Sequence, residues 1–162
     1  MDRLTELVDD VASALESGTI VGEHEEIDIA ELAEMIWESL DRHEKTGSLS
    51  VDGEPVVYGN RKAVRRMFDN LLGNSLEHGE PPIRVQVGTF EDGIYLEDNG
   101  PGIPEENRER VFDQGFSTKD YNGGTGLGMA SVRQIVLAHD WRINISDSEE
   151  LGGTRFEIQT LN

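Results

Sequence analysis

The 162 residues hold 33 acids against 14 bases, a net charge of −19, with no cysteine and only three lysines, Lys45, Lys62 and Lys119. This composition excludes disulfides and thiolate metal sites, and a surface so acidic would repel the phosphates of a duplex nucleic acid. There is no apolar run long enough for a transmembrane helix and no apolar signal core after Met1, so a cytoplasmic setting is expected.

Leu4, Leu7, Val8, Val11 and Leu15 form one apolar stripe, which predicts a helix over residues 1–17 that packs on the domain or on a partner helix. Ser17-Gly18 ends it, and residues 22–26 read as a loop. Asp28 is placed to cap a second helix, with Glu31 completing a capping box, Ile27 stapling onto Leu32, and Ile29, Leu32, Ile36 and Leu40 inward. That helix is expected to close between His43 and Gly47. Ser48–Val51 and Pro55–Tyr58 read as a hairpin turning at Asp52-Gly53.

Asn60 is expected to cap a helix over residues 61–77 whose apolar face is Val64, Met67, Phe68, Leu71 and Leu72. Asn70, Asn74 and Glu77 or His78 follow one polar stripe beside that face. Ile83, Val85 and Val87 alternate as a strand. Its hairpin partner carries Ile94 and Leu96 and ends at Asp98. Pro104–Val111 suggests a short helix opened by proline, residues 126–139 a longer one, and two last strands join through Gly152-Gly153. Strands in adjacent hairpins and helices between them predict an α+β, two-layer sandwich with a mixed sheet of five or six strands and helices on one face. Residues 1–20 are expected to be a separate helix and 21–162 a single domain.

Three stretches carry chemistry. In Asp98-Asn99-Gly100-Pro101-Gly102-Ile103, a carboxylate at a strand end can accept a hydrogen bond from the exocyclic amine of adenine. Gly100 and Gly102 let backbone approach the base. The same hexapeptide also reads as an ordinary surface turn. Gly123-Gly124-Thr125-Gly126-Leu127-Gly128 opens a helix, where free amides and the helix dipole bind phosphate, or where glycines merely precede a helix. Neither a Walker loop nor a dinucleotide fingerprint fits the spacing. Asn70 and Asn74, one turn apart, are hard oxygen ligands suited to Mg²⁺, or a pair of solvated amides.

In order, the chain presents Asn70-Leu71-Leu72-Gly73-Asn74, Asp98-Asn99-Gly100-Pro101-Gly102-Ile103, a polar span between Phe112, Phe116 and the second glycine cluster, then Gly123 to Met129, and finally Gly152-Gly153-Thr154-Arg155-Phe156. This series resembles the ATP-binding catalytic domain of sensor histidine kinases, within the superfamily of gyrase, heat-shock chaperone and mismatch-repair ATPases. The resemblance covers residues 48–161.

It implies that ATP and Mg²⁺ are the cofactors. By that resemblance Asp98 would contact adenine; Gly100, Gly102 and Ile103 would line the base pocket. Asn74 would ligate Mg²⁺ with Asn70 beside it. Gly124, Thr125, Gly126, Leu127 and Gly128 would hold the phosphates, residues 113–123 would form a lid, and Lys119 would be its phosphate cation. Thr154 and His78 would stand near the nucleotide. Hydrolysing relatives carry Glu where this chain has Asn70, and an amide cannot take a proton from water, so phosphotransfer to histidine is expected. Kinases often carry lysine where this chain has Glu77.

The acceptor histidine is expected on a dimerisation hairpin outside this chain, since His24-Glu25 reads as a loop histidine. Residues 1–17 resemble the tail of that hairpin. A response regulator is the implied downstream partner, and the full-length protein could be membrane-anchored. A non-catalytic docking module and a free-standing ATPase are the competing readings.

Self-repulsion at −19 suits a salt-loving cytoplasm, such as that of a halophilic archaeon. The midpoint of thermal unfolding should therefore rise by many degrees between dilute buffer and 2 M KCl; equal midpoints would refute the reading.

Overall fold

The computed structural model describes residues 23–40, 47–112 and 127–160. The predicted helix over 1–17, the lid with Lys119, and Gly124, Thr125 and Gly126 lie outside the described residues, whereas the second helix, expected to close between His43 and Gly47, already ends at Ser39, with Leu40 extended as its C-cap and its N–H donating to Ile36 O.

A five-stranded mixed sheet forms one layer, with strand order β2-β4-β5-β7-β6. Its members are β2 (Gly47–Asp52), β4 (Ile83–Phe90), β5 (Gly93–Asp98), β6 (Arg142–Asp147) and β7 (Thr154–Gln159). Strand β2 runs parallel to β4 and every other pair is antiparallel. The register sets Leu49 beside Val85, Val51 beside Val87 and Val87 beside Leu96. It continues with Leu96 beside Phe156, Ile94 beside Ile158, Phe156 beside Ile145 and Ile158 beside Ile143. One sheet face is therefore apolar across all five strands, as period-two alternation requires.

Three helices cover that face, α1 (Ile29–Ser39), α2 (Arg61–His78) and α3 (Leu127–Ala138). They bury Ile29, Leu32, Ile36, Val64, Met67, Phe68, Leu71, Leu72, Val132 and Val136 in one cluster with the strand residues. Burying each such side chain stabilises the fold by about 1.5–3 kcal/mol. Both predicted caps form: Asp28 Oδ1 accepts from Glu31 N at 3.2 Å, and Asn60 Oδ1 accepts from Ala63 N at 3.0 Å. The α+β two-layer arrangement is the one expected.

Three further local expectations are corrected. The hairpin of residues 48–58 does not form. Gly53 does turn the chain, at φ +74°, but the turn leads out of the sheet. β2 pairs with β4 instead, where Leu49 packs against the core cluster and extends the apolar face. β3 (Val56–Gly59) pairs with β1 (Glu25–Asp28) in a separate two-stranded sheet, bringing buried Val57 opposite buried Ile27. Residues 25–28, read as part loop, are thus a strand; a single apolar residue among acids carries no legible alternation. The helix expected over 104–111 is two 3₁₀ turns, Glu105–Asn107 and Arg110–Phe112.

His139 locks the small sheet to the helical layer. Its Nδ1 donates to Ile135 O at 2.8 Å, and its Nε2 accepts from Asn60 N at 3.1 Å. The ring stacks on Trp141 at 4.3 Å between centroids and on His24 at 5.4 Å. Gly59 makes room: a Cβ there would stand 3.0 Å from the His139 ring and 3.1 Å from Trp141. Accepting at Nε2 requires the neutral ring, and burial holds the His139 pKa below its ordinary value. The unfolded chain therefore binds this proton more readily than the fold does, and the contribution of His139, complete above pH ~6.5, is lost as pH falls toward the lowered folded pKa. In urea unfolding, the stability advantage of wild type over His139→Gln should stay level from pH 8 to about 6.5 and shrink from there to pH 5.5; an advantage independent of pH would contradict this.

Candidate functional site

Strand β5 ends at Asp98 on the helix-facing side of the sheet, opposite Val85. Asp98 is only 5 % exposed. Oδ2 accepts from Ser75 Oγ at 2.8 Å, and Oδ1 accepts from Gly100 N at 3.0 Å and Thr154 N at 3.1 Å. One carboxylate thus gathers donors from α2, from the turn after β5 and from the start of β7. Ionised carboxylates have about four acceptor positions, so one is left on Oδ2.

Glycines close around this group. A Cβ on Gly153 would collide with the Asp98 carboxylate and the Gly100 amide, and one on Gly100 would stand 3.3 Å from Asp98 Oδ1 and 3.8 Å from Gly79 Cα. Gly102 has φ +80° with open space around it, so its need is conformational. Asn99 clips the turn to the first residues of β4. Its Oδ1 accepts from Arg84 N at 2.8 Å, its Nδ2 donates to Pro82 O at 2.9 Å, and its backbone N donates to Arg84 O at 3.1 Å. Arg108 braces the next stretch, donating from Nε to Ile103 O at 3.0 Å and pairing with Asp147 at 2.8 Å.

Helix α2 carries Asn70 and Asn74, both half-buried, one turn apart on the stripe beside its apolar face. Asn70 Oδ1 lies 3.3 Å from the place a Cβ would take on Gly128, in the first turn of α3. This brings the asparagine helix against the glycine-led helix start. Leu127 opens α3. His78, in the last turn of α2, has Nε2 3.5 Å from Glu77 Oε1. Asp98, Gly100, Gly102, Ile103 and Thr154 thus converge on the end of β5, while Asn70 and Gly128 meet where α2 and α3 abut. No group of three acidic, histidine or cysteine side chains among the described residues could hold a metal unaided. The asparagine pair offers two neutral oxygens, so a cation there would draw its remaining ligands from bound anion and water.

The outer face of the sheet is built separately. Glu97 is buried beside Arg155, 3.3 Å from its Nη1, and accepts from Ser148 Oγ at 3.0 Å. Arg155 also lies over the Tyr95 ring at 4.0 Å and pairs with Glu157 at 2.7 Å. Strand β5 therefore ends with Glu97 held on one face and Asp98 on the other.

Sequence reasoning gave no role to Ser75 and Arg108, nor to Asn99 and Gly153 within the motifs it singled out. Ser75 had a usable signal: it continues the stripe of Leu71 and Leu72 at helical spacing, where a polar residue must find a partner. Contacts of Gly153 and Arg108 span distant segments and had none.

Residues 59–162 match the family described as histidine kinase-, DNA gyrase B-, and HSP90-like ATPase. Over 95 % of its length the chain is 32 % identical to the signal transduction histidine-protein kinase/phosphatase MprB of Mycolicibacterium vanbaalenii, covering 33 % of that protein. It is 34 % identical to the sensor histidine kinase CpxA of Escherichia coli over 68 % of the chain, covering 26 % of CpxA. The chain thus spans about a third or less of these relatives. Its fold superposes on a mycobacterial sensor histidine kinase MprB structure with a TM-score of 0.69 and 29 % identity, covering 84 % of this chain and 95 % of that one. The ATP-binding domain of PrrB from Mycobacterium tuberculosis gives 0.64 and 27 %, covering 86 % and 96 %. The chain belongs to the histidine kinase-, DNA gyrase B- and HSP90-like ATPase family, and within it is a homologue of the catalytic domain of sensor histidine kinases.

Proposed function

We propose that this domain binds Mg-ATP between β5, α2 and the start of α3, and passes the γ-phosphate to a histidine on a dimerisation hairpin carried outside this chain. The observation that supports this most is the buried Asp98 carboxylate, held by three protein donors with one acceptor position spare at the end of a strand. Such a group suits the exocyclic amine of adenine, and the glycines around it leave room for a planar base. Gly100 and Gly102 with Ile103 would line the base site, and Thr154 and His78 its flanks.

Asn74, with Asn70 beside it, would hold Mg²⁺ together with phosphate oxygens and waters. When bound, the cation would neutralise charge on the phosphates. The backbone of Gly124, Thr125, Gly126, Leu127 and Gly128 would cradle them, and Lys119 would add the cation. This chain's own residues then act by orienting the γ-phosphate. Asn70 is an amide and cannot accept a proton from water, which favours transfer to histidine over hydrolysis. A response regulator would receive the phosphoryl group from that histidine, on the cytoplasmic side. Glu77, next to His78, places a carboxylate where a phosphate would prefer a cation. This favours slow turnover, and in the limit a docking module that binds nucleotide without transfer.

Calorimetric titration with Mg-ATP in molar KCl should give saturable binding to wild type. Asp98→Ala should lose at least a hundredfold in affinity, Asn74→Ala should bind with little response to added Mg²⁺, and Gly153→Ala should bind weakly because its Cβ displaces the carboxylate. A folded wild type that binds no ATP, or an Asp98→Ala variant that binds normally, would refute the site. Phosphotransfer to a supplied acceptor hairpin then separates a kinase from a docking module.

A further inference from the structure

We infer that Ser75 is a specificity-determining positioning residue, which acts through Asp98 to aim its one spare acceptor at the 6-amino group of a purine. The inference rests on Asp98 being the base anchor, as proposed above.

Ser75 is 2 % exposed and sits in the last turn of α2, one residue after Asn74. A serine inside a helix ordinarily turns to solvent or bonds back to the preceding turn. This one instead sends its hydroxyl across to β5, donating to Asp98 Oδ2 at 2.8 Å. Oδ1 is held by the Gly100 and Thr154 amides. The serine bond ties the other oxygen, so both ends of the carboxylate are held and its plane stays in one orientation. It also consumes one of the two acceptor positions of Oδ2, leaving a single one.

A site with one aimed acceptor rewards a ligand that brings one donor there and penalises a ligand that brings none, because the acceptor then goes unpaired. The 6-amino group of adenine supplies that donor. A 6-unsubstituted purine does not. Ser75 sits one residue from Asn74 on the same helix, so base recognition and the proposed metal ligand share one rigid element.

The test uses the intact domain in molar KCl with two probes, ATP and purine riboside 5′-triphosphate, which lacks only the amine. Wild type should prefer ATP by roughly tenfold or more. Ser75→Ala should lose about tenfold for ATP and about twofold or less for the analogue, collapsing the preference. Ser75→Thr, which keeps the hydroxyl, should restore it. Alanine is a strong helix former, so α2 is retained, and circular dichroism checks this. Equal weakening of both nucleotides by Ser75→Ala would mean a packing role only, and unchanged affinity for both would mean no role; either overturns the inference while leaving Asp98 as anchor. If wild type shows no preference, or Asp98→Ala keeps it, the base-anchor reading fails and the inference falls with it.

Discussion

One buried carboxylate ties the layers of this domain together. Asp98 takes a hydroxyl donor from α2, an amide from the turn that follows its own strand and an amide from β7. Burying such a group without partners would cost several kcal/mol, so its surroundings are built to satisfy it. That need accounts for glycine at positions 100 and 153, where a side chain would push donors away. It also accounts for serine on the otherwise apolar face of α2. The group that would recognise ligand is therefore also a cross-brace between helix and sheet.

Helix α2 shows how one element serves both ends. Its apolar stripe, from Val64 to Leu72, packs on the sheet. Its first residue follows Asn60, whose side chain caps the helix and whose backbone donates to His139. Its far half carries Asn70, Asn74 and Ser75 to the site. Anchoring at the cap and along the core fixes the axial position of these residues, and the Ser75 bond to Asp98 ties the far end to the sheet. The His24–His139–Trp141 stack and the small β1–β3 sheet hold the capped end.

The two faces of β5 divide their work. Asp98 points toward the helices, while Glu97, its neighbour in sequence, is held by Arg155 and Ser148 on the outer face. Adjacent acids on opposite faces of one strand do not compete for the same donors, because a strand alternates its side chains. Arg155, on β7, stands opposite Glu97 of β5 in the pairing register, so the acid-rich chain places a scarce base against a buried acid.

The amino-acid sequence by itself determined the helices α1, α2 and α3, both N-caps, the β4–β5 and β6–β7 hairpins, and the three motif stretches. Each is written in local periodicity, capping residues or glycine spacing, which act within a few residues. Only the tertiary structure decided the partners of β2 and β3, because strand pairing depends on which distant apolar face is incomplete, and no local pattern records that. Only the tertiary structure, likewise, showed that Asp98 is satisfied by Ser75 and Thr154, 23 and 56 residues away. A buried polar group is a local fact, but its partners come from wherever the fold brings a donor within reach.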